Sequence, residues 1–283
     1  MSQVAIASIT ECLTDRQFKS IVELIEGHVG IQLPPSKRTM VEGRLRKRVR
    51  ALGLRHLDDY GRHLFEKGTL ENELPHLIDC VTTNKTDFFR EPAHFDFLRQ
   101  TAVPRLLGYG AGSQFKVWSA ACSIGAEAYT IAMVLQDLKR TMPRFQFSIL
   151  GTDISHEVLG KARAAIYPEA MMEPVPATMR QRYVMSSRDP GQQEARIVPE
   201  LRRSAQFHRL NLMDATYPFD REVDVIFCRN VLIYFDKPTQ RAVIERLASH
   251  LRPGGYLILG HSESMAGGGG LGLSQVLPAI FQA

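Results

Sequence analysis

Apolar positions recur at helical spacing through the first part of the chain. Phe18, Ile21, Val22, Leu24 and Ile25 share one face, and Thr14-Asp15 is a start signal for that helix. Met40, Val41, Leu45, Val49 and Leu52 predict a second helix, and residues 57–65 and 70–81 carry a third and a fourth. Beyond residue 110 the period changes. The compact apolar runs "FKVWSAA", "FQFSILGTDI", "VDVIFCRN" and "GYLILGHSE" alternate with the helical patterns "GAEAYTIAMVLQDLKR", "HEVLGKARAAIY" and "PTQRAVIERLASHL". Strands alternating with helices predict a parallel sheet covered on both faces. The expected fold class is therefore α/β: an N-terminal all-helical domain, then an open, doubly wound Rossmann-like domain. "RYVMS" and "ARIVPEL" read as short extended segments around the turn "SRDPGQQE". They fit a small antiparallel excursion or a long connection equally well. "GGGG" at 267–270 predicts a flexible loop.

One stretch obeys neither period. "TTNKTDFFREP", residues 82–92, sets an amide, a hydroxyl, a carboxylate, two phenylalanines and an arginine side by side. No helix or strand would sort those groups onto separate faces. A binding segment is one reason to keep them together.

Composition narrows the field. The chain has 283 residues, 44% of them hydrophobic, enough for one large or two modest domains. The 35 basic and 30 acidic residues leave a net charge of +5, which suits an acidic partner without requiring one. No apolar run is long enough to span a bilayer, and the start does not resemble a signal peptide. Cys12, Cys80, Cys122 and Cys228 are scattered without metal-ligand spacing and read as reduced thiols of a cytoplasmic protein.

Open α/β sheets bind ligands at the carboxyl ends of their strands. The first such end, "VWSAACSIGAE", has only Gly125 where a dinucleotide-binding turn would need three glycines. That disfavours a phosphate-bearing cofactor and leaves room for S-adenosylmethionine. The second strand ends in "GTDI", where Asp153 is placed to accept hydrogen bonds from ribose hydroxyls or to cap the next helix. "LRPGGYLILG" predicts a helix end, a turn at Pro253-Gly254-Gly255 and a further strand.

"TTNKTDFFRE", "VWSAACSIGAEAYTIAM", "GTDIS", "FCRNVLIYFD" and "LRPGGYLILGHSES" occur in this order. Together they resemble the signature segments of the CheR family, the chemotaxis receptor methyltransferases. The resemblance spans nearly the whole chain. It implies transfer of a methyl group from S-adenosylmethionine to receptor glutamates, giving glutamyl methyl esters and S-adenosylhomocysteine. It implies a helical domain at 1–82, a linker and lid at 83–109, and a methyltransferase domain at 110–283 with an antiparallel subdomain at 184–209. Asn84, Thr86 and Arg90 would contact the cofactor or the substrate carboxylate. Glu127 would meet the methionyl ammonium and Asp153 the ribose, while Asn211, Leu212, Arg229 and Asn230 would flank the adenosyl group. Tyr234 would lie beside the reacting centre, and Phe88 and Phe89 would anchor the linker. The partners implied are cytoplasmic receptor helices. Docking of a receptor C-terminal peptide on the antiparallel subdomain stays open, and a cytoplasmic monomer is expected.

The implied chemistry is undemanding. A glutamate side chain, with an ordinary pKa of ~4.3, is already an ionised nucleophile at neutral pH. Neither a general base nor a metal is required, so Arg90 and Tyr234 are expected to position rather than to transfer protons. Arg44, Arg46, Lys47, Arg48 and Arg50 crowd the second helix around its apolar stripe. A solvated face, a nucleic-acid surface and a dock for an acidic protein helix are the three readings of that charge. The resemblance selects the last.

Overall fold

A computed structural model of the chain describes residues 12–108, 114–142, 144–187, 189, 191–263 and 272–283. The Gly-rich stretch at 267–270 lies outside the described residues. The chain forms two compact units, Met1–Thr83 and Asn84–Ala283.

The first unit is helical: α1 (Asp15–Val29), α2 (Arg38–Ala51), α3 (Leu57–Phe65) and α4 (Leu70–Val81). α1 begins where the sequence predicts. Thr14 Oγ1 accepts from the Gln17 backbone and Gln17 Oε1 accepts from the Thr14 backbone, a reciprocal cap contributing about 1 kcal/mol. It ends at Gly30, whose φ of 72° other residues adopt only at a cost. α2 buries Val41, Leu45 and Val49, a stripe at four-residue spacing.

The second unit runs α5 (Ala93–Phe97), α6 (Val103–Gly108), β1 (Phe115–Ala120), α7 (Ala126–Thr141), β2 (Phe147–Asp153), α8 (His156–Ala164) and β3 (Ile166–Pro168). It continues through α9 (Ala177–Tyr183), β4 (Val184–Ser186), β5 (Glu194–Ile197), α10 (Pro199–Ser204) and β6 (Ala205–Arg209). β7 (Val223–Cys228), α11 (Lys237–Ala248), β8 (Leu251–Leu259), β9 (Ser274–Leu277) and β10 (Ile280–Gln282) complete it. Seven strands pair in the order β6-β2-β1-β7-β8-β10-β9. The first five are parallel and the last two antiparallel. β7 is buried at all six positions, as a central parallel strand must be. The chain winds from β1 outward through β2 to β6, then returns to β7 on the other side of β1. Strand order therefore reverses between β1 and β7, and a crevice for a ligand opens at such a point. Among the described residues no helix is long and apolar enough to cross a membrane.

Five boundaries differ from the sequence expectation. The helix expected through Tyr167 stops at Ala164, because Ala165 takes φ 53° and the chain turns into β3. The small sheet, ordered β3-β5-β4, thus begins before the expected 184–209 stretch. The end of that stretch leaves it: Ala205–Arg209 pairs with β2 in the large sheet, burying Ala205 and Phe207. Pro253-Gly254-Gly255 lies within β8 rather than in a turn before it. A Cβ on Gly255 would sit 2.9–3.2 Å from the carbonyls of Arg252, Asp224 and Val223, so only glycine lets β8 close on β7 there. Finally, the expected linker at 83–109 is mostly core of the second unit, with Phe88, Phe95, Leu98, Val103 and Leu106 buried in its main cluster. Its helix carries a π turn over Leu98–Ala102, where Val103 N–H reaches back five residues to Leu98. Pro104 follows and has no N–H to donate to residue 100.

Candidate functional site

The site grows from the ends of β1, β2 and β7. After β1 the backbone folds back sharply, with Ala121, Ser123 and Gly125 all at left-handed φ (62°, 51° and 86°). Gly125 opens α7, and a Cβ there would meet Ala162 at 3.0 Å. The tight turn brings Ser123 against β2: its N–H donates to Asp153 Oδ2 at 2.9 Å. Asp153 Oδ1 accepts from Ser155 N–H at 3.0 Å, so the carboxylate also braces the start of α8. Leu210 N–H donates to the Asp153 carbonyl at 3.0 Å, setting Asn211 and Leu212 just beyond the same strand end. The cap of α8 is Ser155, whose Oγ accepts from Val158 N–H at 3.3 Å, so of the two readings of Asp153 the strand-end position stands and the cap does not.

Glu127 stands in the first turn of α7. Its Oε1 accepts from Ser119 Oγ at 2.6 Å and its Oε2 from Arg229 Nη1 at 3.0 Å. Burial pushes the Glu127 carboxyl above its ordinary pKa, and Arg229 and Ser119 draw it only part of the way back. Arg229, whose side chain is 2% exposed, follows β7 directly and also reaches Glu91 Oε2 at 3.1 Å and the Arg90 carbonyl. Burial disfavours the ionised form of Glu91, but Arg229 and Asn230 outweigh it and hold the carboxyl below its ordinary value.

Residues 84–92 begin irregularly, from 84 to 87, and bond to this network through the Asn84 and Arg90 carbonyls. Ser123 Oγ donates to the Asn84 carbonyl at 3.1 Å. Phe88 is 1% exposed and meets Tyr167 edge-on, while Phe89 packs edge-on against Phe95. The phenylalanines are anchors. They pin the polar residues on either side of them, Thr86 and Arg90, which stay partly exposed. Arg90 Nη1 donates to the Lys85 carbonyl at 3.2 Å, closing the loop on itself. Tyr234, also partly exposed, sits on a single 3₁₀ turn (Leu232–Tyr234) after β7.

Sequence reasoning quoted "GHSES" without giving its acid a role. Glu263 is 6% exposed and accepts three backbone N–H groups: Asn230 at 2.8 Å, Leu232 at 2.7 Å and Gly260 at 2.7 Å. It ties the end of β8 to the segment that carries Asn230 and Tyr234. Asn230 itself is held at φ 59° and donates its side-chain N–H to Glu91 Oε1 at 3.2 Å. Glu91 was equally overlooked, although it is the last charged residue of the quoted stretch.

The donor set decides what fits here. Two carboxylates, Asp153 at the end of β2 and Glu127 in the first turn of α7, stand where a dinucleotide would need glycine and backbone N–H groups, so a pyrophosphate would be repelled. An ammonium group and ribose hydroxyls suit them, and the Arg229 guanidinium suits a carboxylate. An amino-acid-bearing nucleoside such as S-adenosylmethionine matches that set. The basic residues of α2 lie in the first unit and divide in two. Arg44 donates to the carbonyls of Val81 and Thr82, both at 2.9 Å, and Arg48 forms a two-pronged pair with Glu73. Lys47 and Arg50 are exposed and Arg46 partly so.

Comparison with known proteins agrees with this geometry. Residues 84–271 match the family described as CheR methyltransferase, SAM binding domain, and residues 16–82 match the CheR methyltransferase all-alpha domain. A chemotaxis protein methyltransferase of Borreliella burgdorferi is 36% identical over 274 residues, 95% of this chain and 95% of that protein. The chemotaxis protein methyltransferases of Salmonella typhimurium and Escherichia coli are 40% and 39% identical, each over 90% of this chain and 85% and 86% of their own. The two matched regions meet at residue 83, where the two compact units also divide. An all-α unit, a glycine-poor first turn and carboxylates at the strand ends go together with these matches, and the chain belongs to the CheR methyltransferase family.

Proposed function

We propose that this S-adenosylmethionine-dependent methyltransferase esterifies glutamate side chains on cytoplasmic helices of chemoreceptors. The carrying observation is the match to chemotaxis protein methyltransferases over 90–95% of the chain, helical unit included. Bound S-adenosylmethionine supplies a methyl group on a positively charged sulfur and leaves as S-adenosylhomocysteine. Glu127 holds its amino-acid end, Asp153 its ribose, and Asn211, Leu212 and Asn230 the adenosyl group. Arg229, expected beside the adenosyl group, joins Glu127 at the amino-acid end instead, because it is bonded to Glu127 and Glu91. Asn84 and Thr86 close over it.

The rest falls to orientation. The substrate carboxylate is ionised at neutral pH, so no side chain has to remove a proton. Arg90 orients the incoming carboxylate, and Tyr234 gives it a hydroxyl to lean on while water is kept out. Burial pushes the Cys122 and Cys228 thiols well above their ordinary range, which suits packing and not nucleophilic work. Arg46, Lys47 and Arg50 meet the acidic receptor helix. Any receptor tail would add a strand to the small sheet, whose outer strands expose Ile166 and Met185.

Incubation with methyl-labelled S-adenosylmethionine and a receptor fragment tests this directly. Mild base should release the label as volatile methanol, because esters hydrolyse under conditions that leave N-methyl groups intact. Label that stays on the protein would rule out glutamyl esters.

A further inference from the structure

His94, on α5, is 2% exposed, and neither of its ring nitrogens has a hydrogen-bond partner. A buried polar group left without a partner is costly, so such an orphan asks for a ligand. Two groups face it. Glu91 Oε2 lies 3.4 Å from His94 Nδ1 but without the geometry of a hydrogen bond. The His261 ring, on the turn after β8, meets the His94 ring edge-on at 4.9 Å between centroids. Its Nε2 is 4.0 Å from Glu91 Oε2, and one donor atom from each of the three residues lies within 4.8 Å of the others.

We propose that Glu91, His94 and His261 form a binding site for one divalent transition-metal ion of the zinc class. Donors ~2.0–2.1 Å from a tetrahedral zinc sit roughly 3.4 Å apart. The Glu91–His94 spacing already meets that value. The other two donor spacings close if the His261 side chain, 58% exposed, turns inward. Two imidazoles and one carboxylate favour zinc, cobalt or nickel over magnesium and calcium, which prefer oxygen ligands throughout. The exposed side leaves a fourth position for water.

Charge permits the ion despite the neighbouring guanidinium. Glu91, Glu127 and Glu263 belong to one hydrogen-bonded cluster with Arg229 as its cation. Glu91 and Glu127 both pair with Arg229, so two carboxylates share one guanidinium. An ion on Glu91 Oε2 would compete with Arg229 for that oxygen, and Arg229 would keep Glu127 and the Arg90 carbonyl. The ion takes no part in methyl transfer. It would clasp the segment after Arg90 to the turn that follows β8.

The test uses the full chain after chelator treatment, with Cys12→Ser to remove an exposed thiol. Cobalt(II) is titrated by visible absorbance, and zinc(II) by calorimetry. The expected result is saturation at one ion per chain, with the visible bands of a four- or five-coordinate nitrogen–oxygen site. His94→Ala risks the fold because the residue is buried, so His261→Ala carries the test. It should unfold at an unchanged temperature and bind each ion at least tenfold more weakly. Absence of saturable binding, or wild-type affinity in His261→Ala, would overturn the proposal.

Discussion

Asp153 is one carboxylate that braces two of the protein's own loops and, in the proposed function, also holds a ribose. Replacing it with alanine removes a charged acceptor from Ser123 N–H and Ser155 N–H as well as from the cofactor. A hydrogen bond to a charged group contributes about 1.5–3 kcal/mol, so affinity for S-adenosylhomocysteine should fall about ten- to a hundredfold. Calorimetric titration reads this, and unchanged affinity would remove Asp153 from the ribose. Glu263→Gln asks a different question. The new amide N–H would face a backbone donor in a buried place, so the thermal midpoint should drop by several degrees. Methylation should slow as well, because Leu232 and Asn230 hold the turn bearing Tyr234. A variant that is less stable but fully active would confine Glu263 to a structural role. The strand-end position of Asp153 was legible in the sequence, because the apolar run that ends in it marks β2. Glu263 was not: its partners are backbone groups 3, 31 and 33 residues away, and no side-chain pattern marks them.

Among the elements, α2 shows how a charge run can hide two jobs. The sequence places five basic residues around an apolar stripe, but it cannot say which of them find partners in the same unit. Arg48 meets Glu73 on α4, and Arg44 caps the last carbonyls of α4. Reversing these two would unfold the unit and tell nothing about recognition. Arg46, Lys47 and Arg50 reversed to glutamate should leave the fold and cofactor binding intact while slowing receptor methylation several-fold, through lost attraction to an acidic helix. Equal rates for this triple variant and the wild type would send the search for the receptor contact elsewhere. The Arg48–Glu73 pair also makes a pH prediction. Arg48 holds the Glu73 carboxyl below its ordinary pKa, so its contribution is complete above the unfolded value of about 4.3 and fades as pH falls through the lower folded value. Glu73→Gln should lower stability at pH 7 and flatten its decline below about pH 4, measured by thermal unfolding across pH. The same contrast holds for the strands. "VDVIFC" was legible because six apolar or buried positions leave few alternatives. β6 was not, since "AQFHR" alternates over only five residues beside a charged stretch.

At the scale of the molecule, alternation of strands and helices was enough to predict a doubly wound sheet. The order of its strands was beyond sequence reasoning, because pairing joins segments that local patterns treat separately. That order carries a cost in time. β1 is central, and Val117 pairs with Ile149 and with Val225, 32 and 108 positions further on. Contacts that distant are slow to form, and during synthesis at about 5–20 residues per second they must also wait for the later partner to emerge. Until Val223–Cys228 leaves the ribosome, the edge of β1 that it will cover keeps its backbone unpaired. The stretch of translation between Asp153 and Val223 is therefore the vulnerable period for the nascent chain. Slow codons placed there would lengthen its exposure to aggregation, and a chaperone that shields β1 would act at that time.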